Sequence, residues 1–356
     1  MKVLHITNNY PSPKQPAFGS FVRSQVESLE AVGVDCSLFL VNGRGSIWRY
    51  LWAWFRLVWR LLTHRYDVLH CHHALTGVLL CLTGAPLFSR CVLSYQNSPS
   101  REWGRRTFRL LYPCFRRIIL KAQDDDYMDY DKVRVIPNGC SDQLFRPMDK
   151  AECRRQLGLE PDARYVLFID VNARRAARKR SQKRKDRFDV ALSHLNERFG
   201  EPVYPVMLQD EDPSRMPLWY NAVDVFLLSS DFEGSPNAAK ECLMCNVPVV
   251  ATPVGDLPYL AKFCPDCYVI PCFDADALAQ KAWEVMTGVV GGSAWAGEGA
   301  GGSQAGGPER ICGSGQAGGA RRAPEGLSSR EALLKLGYGL EDTARNILKT
   351  YRESLL

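Results

Sequence analysis

The sequence lacks any long apolar run, and this absence limits the kind of protein it encodes. A membrane-spanning helix needs about 20 consecutive apolar residues, and no stretch of the chain provides them. Residues 1–6 are too short for the apolar part of a secretory signal, and the Pro- and Asn-containing stretch behind them does not extend it. We therefore expect a cytoplasmic protein without a transmembrane anchor.

Cysteine is present but not clustered in turns. The 13 cysteines are scattered along the chain, which is typical of reduced, buried thiols. Two CxxC pairs, Cys242 with Cys245 and Cys264 with Cys267, have the spacing of a four-cysteine zinc site. The first pair lies in a predicted helix, whereas zinc-ribbon pairs usually sit on tight turns, so we favour core thiols over zinc. The acidic run at 124–131 indicates a solvated loop.

The chain is long enough for two domains. Its 356 residues exceed one ordinary core, and 46% hydrophobic with 24% charged residues is usual for a globular protein. The net charge of +6 is concentrated at 49–65, 101–117 and 174–187, which predicts two or three surfaces that face anions.

Two series of strands alternating with helices predict an α/β fold with parallel sheets. The first series has strands at 2–7, 34–41, 66–71, 92–95, 117–122 and 133–136, with helices at 21–32, 47–64 and 101–112. Periodicity is lost at 144–160, which predicts the crossing between domains. The second series has strands at 165–171, 203–208, 225–229, 247–251 and 268–271, and helices follow at 274–286 and 340–355.

The predicted domains are therefore 1–145, 146–287, a flexible glycine-rich insertion at 288–326, and C-terminal helices at 327–356. Gly19, near the start of the first helix, would let a ligand approach the backbone closely.

A stretch in the second series, residues 231–258, carries two glutamates around a helix start. Ser235 is a good N-cap and Pro236 suits the first helical position, so Glu233 precedes the positive end of the helix and Glu241 lies on its second turn. Free amides at a helix N-terminus bind phosphate, and the two carboxylates could hold hydroxyls of an attached sugar or ribose. The alternative is that Glu241 is a solvated acid on an exposed face.

A basic tract lies at the same predicted sheet edge. Nine of the sixteen residues at 172–187 are Lys or Arg. Such tracts also serve as nuclear-localisation or nucleic-acid sites. Because this one follows the first strand of the second domain, we expect it to face Ser235 and to supply cations to a diphosphate. Specific nucleic-acid binding is not expected, although surplus charges leave RNA contact open.

Residues 47–64, IWRYLWAWFRLVWRLLTH, form an amphipathic pattern. Arginines and His64 fall on one side and Leu and Phe on the other, with Trp48, Trp52 and Trp59 between. This pattern predicts either a helix that contacts an anionic membrane surface, or a helix that packs on the sheet and keeps its basic side in solvent. A histidine run, residues 70–73, ends the third strand, and alternation along a strand prevents all of it from converging on one metal.

With these elements in place, the sequence is similar to the family 4 glycosyltransferases of two-domain GT-B architecture. EGSPNAAKE, from Glu233 to Glu241, fits the family pattern of two glutamates separated by seven residues. LWYNAVDVFLLSS, PVVATPVGD, VIPNG and DVLHCHH support it, and together these segments span most of the chain outside the glycine-rich insertion.

The resemblance implies two Rossmann-like α/β/α domains facing across a cleft, and a sugar transferred from a nucleotide donor with retained configuration and without a metal. It places Glu233 against the donor sugar, Glu241 on the ribose, and Lys183 and Arg180 on the diphosphate. The remaining predicted donor contacts are Gly19, Gly234, Ser235, Pro236 and Asn237, and the predicted acceptor-side residues are His70, His72, Gln96 and Asn97. It also implies that the last helix packs back on the first domain.

The leading hypothesis is a retaining transferase acting on a glycan or lipid-linked acceptor, in cell-surface polysaccharide or glycolipid synthesis, peripheral on the cytoplasmic face of the membrane. The alternatives are a nucleotide-sugar-binding or membrane-associated scaffold that has lost catalysis, a GT-B sugar-nucleotide epimerase, and a basic nucleic-acid-binding protein. Relatives often carry a histidine where this chain has Gln96, and a glutamate where it has Tyr259.

Overall fold

A computed structural model describes residues 1–12, 15–41, 47–170, 181–209, 211–289 and 326–355. Most of the predicted glycine-rich insertion, and the part of the basic tract that contains Arg180, lie outside the described residues.

The N-terminal lobe is built on a six-stranded parallel sheet in the order β2-β1-β3-β4-β5-β6. The strands are β1 (Lys2–Thr7), β2 (Asp35–Leu40), β3 (Val68–His72), β4 (Cys91–Ser94), β5 (Arg117–Leu120) and β6 (Val133–Val135). The helices are α1 (Ser20–Ala31), α2 (Ile47–Thr63), α3 (Ala74–Cys81), α4 (Pro99–Glu102) and α5 (Gly104–Leu111). Most strand residues are buried, as expected for a parallel sheet covered on both faces.

The C-terminal lobe contains a five-stranded parallel sheet in the order β11-β10-β9-β7-β8. Its strands are β7 (Arg164–Ile169), β8 (Val203–Leu208), β9 (Val225–Leu228), β10 (Val249–Ala251) and β11 (Cys267–Val269). Its helices are α6 (Lys150–Leu157), α7 (Lys185–Phe199), α8 (Met216–Ala222), α9 (Asn237–Met244), α10 (Leu257–Leu260), α11 (Ala275–Thr287) and α12 (Ser329–Lys335). The prediction of two parallel-sheet α/β domains is confirmed.

The last helix, α13 (Leu340–Leu355), lies on the N-terminal lobe. Its Ala344, Ile347 and Tyr351 are buried in one cluster with Val3 of β1 and Leu29 of α1. The chain therefore crosses between the lobes a second time after the C-terminal sheet is complete.

Three sequence-based boundaries are wrong. The helix predicted at 101–112 is two helices, α4 and α5, because Gly104 has a left-handed φ of 83° at their junction. The stretch at 144–160, predicted only as the crossing between domains, also contains α6, whose N-terminus is capped by the Asp149 carboxylate accepting from the Glu152 N–H. The helix after Glu233 begins at Asn237 with Pro236 as its N-cap residue, so Ser235 is not the cap.

His70 and His72 do not face the cleft, so their prediction as acceptor-side residues is wrong. They alternate on one face of β3 and are fully buried with His5 of β1. Burial lowers the pKa of His5 to about 3 and holds the pKa of the other two well below its usual range. The two ring nitrogens of His70 lie 2.6 Å from the Tyr351 hydroxyl and 2.7 Å from Ser94 Oγ, so this cluster joins α13 to the sheet.

The four cysteines of the two CxxC pairs are buried in the core of the C-terminal lobe. Burial raises the pKa of Cys245 and Cys264 to about 12, which keeps these thiols protonated. Within the described residues, the only group of three or more side chains spaced to hold one metal ion is the histidine cluster, and it includes no cysteine. The core-thiol interpretation therefore fits the packing.

Candidate functional site

A cavity of about 400 Å³ lies between the lobes, where loops at the C-terminal ends of both sheets meet. Ligand sites of parallel α/β sheets occur at this edge, and the volume is within the usual range for small-molecule sites. The predicted residues that line it are Gly19, Gln96, Asn97, Lys183, Glu233, Gly234, Ser235, Pro236, Asn237 and Glu241. The structure thus brings together residues from four separate parts of the chain.

Glu233 and Lys183 form an ion pair inside the cavity. Lys183 Nζ lies 2.7 Å from Glu233 Oε1, and their side chains are only 13% and 12% exposed. The Ser230 hydroxyl donates to the same carboxylate oxygen at 2.8 Å. Because the pair is shielded from water, the attraction between its two charges is stronger than in a surface ion pair. The Lys183 ammonium is therefore fixed in position inside the cavity.

The described part of the basic tract is tied to the loop before Glu233. Arg184 and Arg187 both donate to Asp231 Oδ1, at 2.7 and 2.9 Å. The Asp231 N–H donates to the Gln182 carbonyl at 2.9 Å. These bonds hold the Lys183 loop against the Glu233 loop, so the two arginines fix the loops rather than face the cavity.

The start of α9 is held by a buried lysine that sequence reasoning did not single out. Lys240 Nζ donates to the Asn138 carbonyl at 2.7 Å and to Ser235 Oγ at 2.6 Å, and Ser235 Oγ donates to Asp256 Oδ2 at 2.7 Å. Lys240 is fully buried, and this burial lowers its pKa. Since Asn138 belongs to the N-terminal lobe's exit loop, the network fixes α9 relative to both lobes.

Glu241 is not a solvated acid. The Tyr220 hydroxyl, on α8, donates to Glu241 Oε2 at 2.5 Å, and both residues line the cavity. Burial raises the pKa of Glu241, and the bond from Tyr220 opposes that increase. The carboxylate is therefore oriented, with one oxygen occupied and the other able to accept from a ligand hydroxyl.

The N-terminal wall of the cavity is organised by Glu102 at the end of α4. Its carboxylate accepts from the N–H groups of Gln96 at 2.5 Å, Asn97 at 3.1 Å and Ala74 at 2.9 Å. His73 Nδ1 lies 3.6 Å from the same carboxylate, and His73 lines the cavity with a left-handed φ of 80°. Such a φ is strained for histidine, and Glu102 supplies the contacts that maintain it.

Two glycines permit close backbone approaches at the cavity. A Cβ on Gly234 would lie 1.7 Å from the Gln96 carbonyl oxygen, so only glycine allows the two lobes to touch here. Gly19 has a φ of 72°, and a Cβ there would lie 2.5 Å from the Asn9 carbonyl carbon. Gly19 is thus required by the loop's own backbone as well as by its position on the cavity.

Several polar atoms of the cavity wall lack a partner among the described residues. Both side-chain polar atoms of Gln96 and Oδ1 of Asn237 are buried without a hydrogen bond. Unpaired buried polar groups cost about 1–3 kcal/mol each. They are the groups that a hydroxyl-rich ligand would satisfy.

Comparisons with known proteins agree with this geometry. Residues 195–287 match the family described as "Glycosyl transferases group 1". The chain is 27% identical over 237 residues to a D-inositol 3-phosphate glycosyltransferase of Pseudarthrobacter chlorophenolicus, covering 54% of this chain and 56% of that protein. It is 30% identical over 155 residues to D-inositol 3-phosphate glycosyltransferase 2 of Catenulispora acidiphila, covering 36% of each.

Over residues 195–287 the chain is similar to the group 1 glycosyltransferases. The match spans about half the length of the curated relatives. The fold is GT-B: the chain superposes on sucrose-phosphate synthase of Thermosynechococcus elongatus with a TM-score of 0.66, at 16% identity and over 99% of this chain and 98% of that one. It also superposes on the HepE protein of Anabaena in complex with UDP and glucose, with a TM-score of 0.66, at 13% identity and over 99% of both chains.

The functional residues that sequence reasoning missed are Tyr220, Lys240, Asp256, His73 and Glu102. Each acts through a partner that is distant in sequence. Tyr220 lies in the segment LWYNAVDVFLLSS, which supports the family resemblance. The residues next to it in sequence do not indicate its contact with Glu241.

Proposed function

We propose that this protein is a glycosyltransferase that transfers a sugar, with retained anomeric configuration, from a nucleotide sugar to a glycan or lipid-linked acceptor. The observation that carries the proposal is one cavity that contains the Lys183–Glu233 ion pair, the start of α9 and the oriented Glu241 carboxylate. These groups match the diphosphate, sugar and ribose of one donor molecule.

In this proposal the donor diphosphate lies between Lys183 and the first amides of α9. Glu241 accepts from the ribose hydroxyls, and Glu233 lies against the donor sugar. The bond between the sugar C1 and the diphosphate oxygen breaks while C1 bonds to the acceptor oxygen, and the acceptor's proton passes to the leaving diphosphate. The charge that develops on that diphosphate is stabilised by the lysine and the amides, so no metal is assigned.

We also propose that the enzyme contacts an anionic membrane surface through α2. The tryptophans Trp48, Trp52 and Trp59 are 74%, 65% and 70% exposed, together with Phe55 at 54% and Leu62 at 78%. The buried side of the helix carries Ala53 and Leu57, so the tryptophans face away from the sheet, along one exposed stripe. Arg49 and Arg56 follow the tryptophans on one side of the stripe, and a cationic edge beside tryptophans is typical of interfacial helices.

No described helix is both long and apolar enough to cross a bilayer. With α2 as the contact, we place the protein peripherally on the cytoplasmic face of a membrane, in cell-surface polysaccharide or glycolipid synthesis.

A melting-temperature screen of the full chain against UDP-, GDP- and ADP-sugars tests the donor proposal. A ligand that binds only the folded state must raise stability, so we expect one nucleotide to raise the Tm. A rise in Tm without any transfer product would indicate the scaffold alternative, and a rearranged nucleotide sugar would indicate an epimerase. No rise with any nucleotide, together with steeply salt-dependent RNA binding, would contradict the proposal.

Co-sedimentation with vesicles tests the membrane proposal. Wild-type protein is expected to pellet with vesicles that contain phosphatidylglycerol, and Leu62→Asp to remain in solution because it places a charge in the apolar stripe. Val190→Asp on α7, at a residue 47% exposed on the other lobe, is the matched control and should still pellet. Equal loss in both variants, or no pelleting of the wild type, would refute the contact.

A further inference from the structure

One part of the cavity between the lobes has apolar walls. Ile169 and Leu208, which are paired in register at the ends of β7 and β8, line it together with Pro213 and Met216 from the segment that follows β8. Met216 begins α8, and on the next turn of that helix Tyr220 donates to the carboxylate assigned to the ribose. A nucleobase attached to that ribose would therefore lie among these apolar side chains.

A carboxylate, Glu211, lies beside this apolar part. Glu211 belongs to the loop between β8 and α8, lines the cavity, and has a side chain that is 21% exposed. Its Oε1 accepts from the Asp212 N–H at 3.1 Å and lies 3.7 Å from Arg215 Nη1. The Arg215 side chain is 53% exposed, so this long ion pair contributes little. The two other carboxylates of the described cavity wall are already assigned to the sugar and the ribose.

A carboxylate selects a nucleobase by the donors that the base presents, because an ionised carboxylate only accepts hydrogen bonds. Guanine presents two adjacent donors, N1–H and the N2 amino group, and these match the two oxygens of one carboxylate. Uracil presents a single N–H between two carbonyl oxygens, which a carboxylate repels. Adenine and cytosine present an amino group beside an unprotonated ring nitrogen, whose lone pair would face the second carboxylate oxygen. Guanine is therefore the base that suits Glu211.

We propose that Glu211 determines the base specificity of the site and that the donor is a sugar linked to guanosine diphosphate. This proposal deepens the proposed function and rests on it for the position of the donor. The apolar side chains hold the faces of the purine, and Glu211 accepts from its N1–H and N2 amino group. Such a bidentate pair discriminates against a base that cannot form it by about ten- to hundredfold in affinity.

The test is isothermal titration of the full chain with the diphosphates of guanosine, inosine, uridine and adenosine. Wild type is expected to bind guanosine diphosphate about tenfold or more tightly than the uridine and adenosine compounds. Inosine diphosphate lacks the N2 amino group, so it leaves one carboxylate oxygen without its donor. It should bind wild type about tenfold more weakly than guanosine diphosphate does.

Glu211→Gln supplies a readout that a purely structural role would not give. In this variant the preference for guanosine over inosine diphosphate should disappear. Xanthosine diphosphate carries an oxygen in place of the N2 amino group, so it should bind the variant more tightly than wild type, because the glutamine amide can donate to that oxygen.

Asp212→Asn is the matched control. Asp212 is the neighbouring carboxylate, is exposed, and does not line the cavity. Its Oδ1 accepts from the Ser214 N–H at 2.9 Å, and the asparagine retains an oxygen for that bond. The substitution removes the same charge as Glu211→Gln, and it should leave the affinity for all five nucleoside diphosphates as in wild type.

The outcomes separate this inference from the donor proposal. A wild type that binds uridine or adenosine diphosphate at least as tightly as guanosine diphosphate would overturn the inference and leave the donor proposal standing. Equal weakening of every nucleoside diphosphate by Glu211→Gln, with no gain for xanthosine diphosphate, would overturn it too, since Glu211 would then only hold its loop. Binding of none of these nucleotides to wild type would refute the donor proposal, and the inference with it.

Discussion

Replacing Tyr220 by phenylalanine removes one hydroxyl from the site and leaves the packing intact. Tyr220 is 1% exposed and packs in the core of the C-terminal lobe, where its ring contacts Phe145. Its hydroxyl is the donor to Glu241 Oε2 at 2.5 Å. The substitution therefore changes the hydrogen bonding of one carboxylate with little change in volume.

We expect Tyr220→Phe to lower the free energy of unfolding by about 2 kcal/mol, the usual value for a hydrogen bond to a charged group. Nucleotide affinity should fall by about five- to tenfold, which is a smaller change in free energy. The Tyr220–Glu241 hydrogen bond forms with and without nucleotide, so its loss affects binding only through the orientation of Glu241. Urea denaturation and isothermal titration with the nucleotide found in the screen measure the two effects.

The pH dependence of nucleotide affinity supplies a further signature. Burial raises the pKa of Glu241, and the Tyr220 bond lowers it. If the ionised carboxylate binds the ribose, affinity falls as the pH drops through that pKa, and in Tyr220→Phe the fall should begin at a higher pH.

Tyr165→Phe is the control for this prediction. Tyr165 is buried in the same core, and its hydroxyl accepts from the Glu160 N–H at 2.9 Å. The Tyr165→Phe substitution should reduce stability slightly and leave nucleotide affinity unchanged. A folded Tyr220→Phe with wild-type affinity and an unshifted pH profile would refute the assignment of Glu241 to the nucleotide.

Three further predictions concern buried polar groups. Gln96→Leu should stabilise the free protein by about 1 kcal/mol in urea denaturation, because two unpaired buried polar atoms are removed, while lowering kcat/KM for transfer. Lys240→Met should lower the free energy of unfolding by about 3 kcal/mol, because buried Asp256 loses its nearby ammonium; an unchanged urea midpoint would contradict this. Burial lowers the pKa of Lys121 to about 7, so the protonated form disfavours folding and stability should rise between about pH 7 and pH 10; this rise should be absent in Lys121→Met.

The strands were the most predictable part of the fold. The bounds of β1, β8 and α13 agree with the sequence-based ones, because continuous apolar runs and a regular helical period mark them without interruption. The helix α6 was missed because its sequence, KAECRRQL, has no apolar stripe and only Cys153 and Arg154 are buried. Its caps, Asp149 and Gly158, were the available signal.

At the site, the sequence predicted which residues meet but not what holds them. Helix-start chemistry and the family pattern placed Glu233, Lys183 and Glu241 together, and all three line the cavity between the lobes. Their supports come from far along the chain: Lys240 bonds to Asn138, and Glu102 to the loop at Gln96. No local pattern marks such pairs, because the contact exists only after both lobes have folded.

At the histidine run, residues 70–73, the prediction placed the wrong residues at the site. The family resemblance placed His70 and His72 on the acceptor side, but alternation along β3 turns both into the covered face of the sheet. His73, the first residue beyond the strand, is the one that lines the cavity. Position relative to the strand end decides which histidine of the run lines the cavity.

The most direct test of the central claim is isothermal titration of wild type and Lys183→Met with a nucleoside diphosphate and with the corresponding nucleoside. If the diphosphate lies against Lys183, the variant should bind the nucleoside diphosphate about tenfold or more weakly, and the nucleoside as the wild type does. Equal nucleoside diphosphate affinity in both folded proteins would contradict the account.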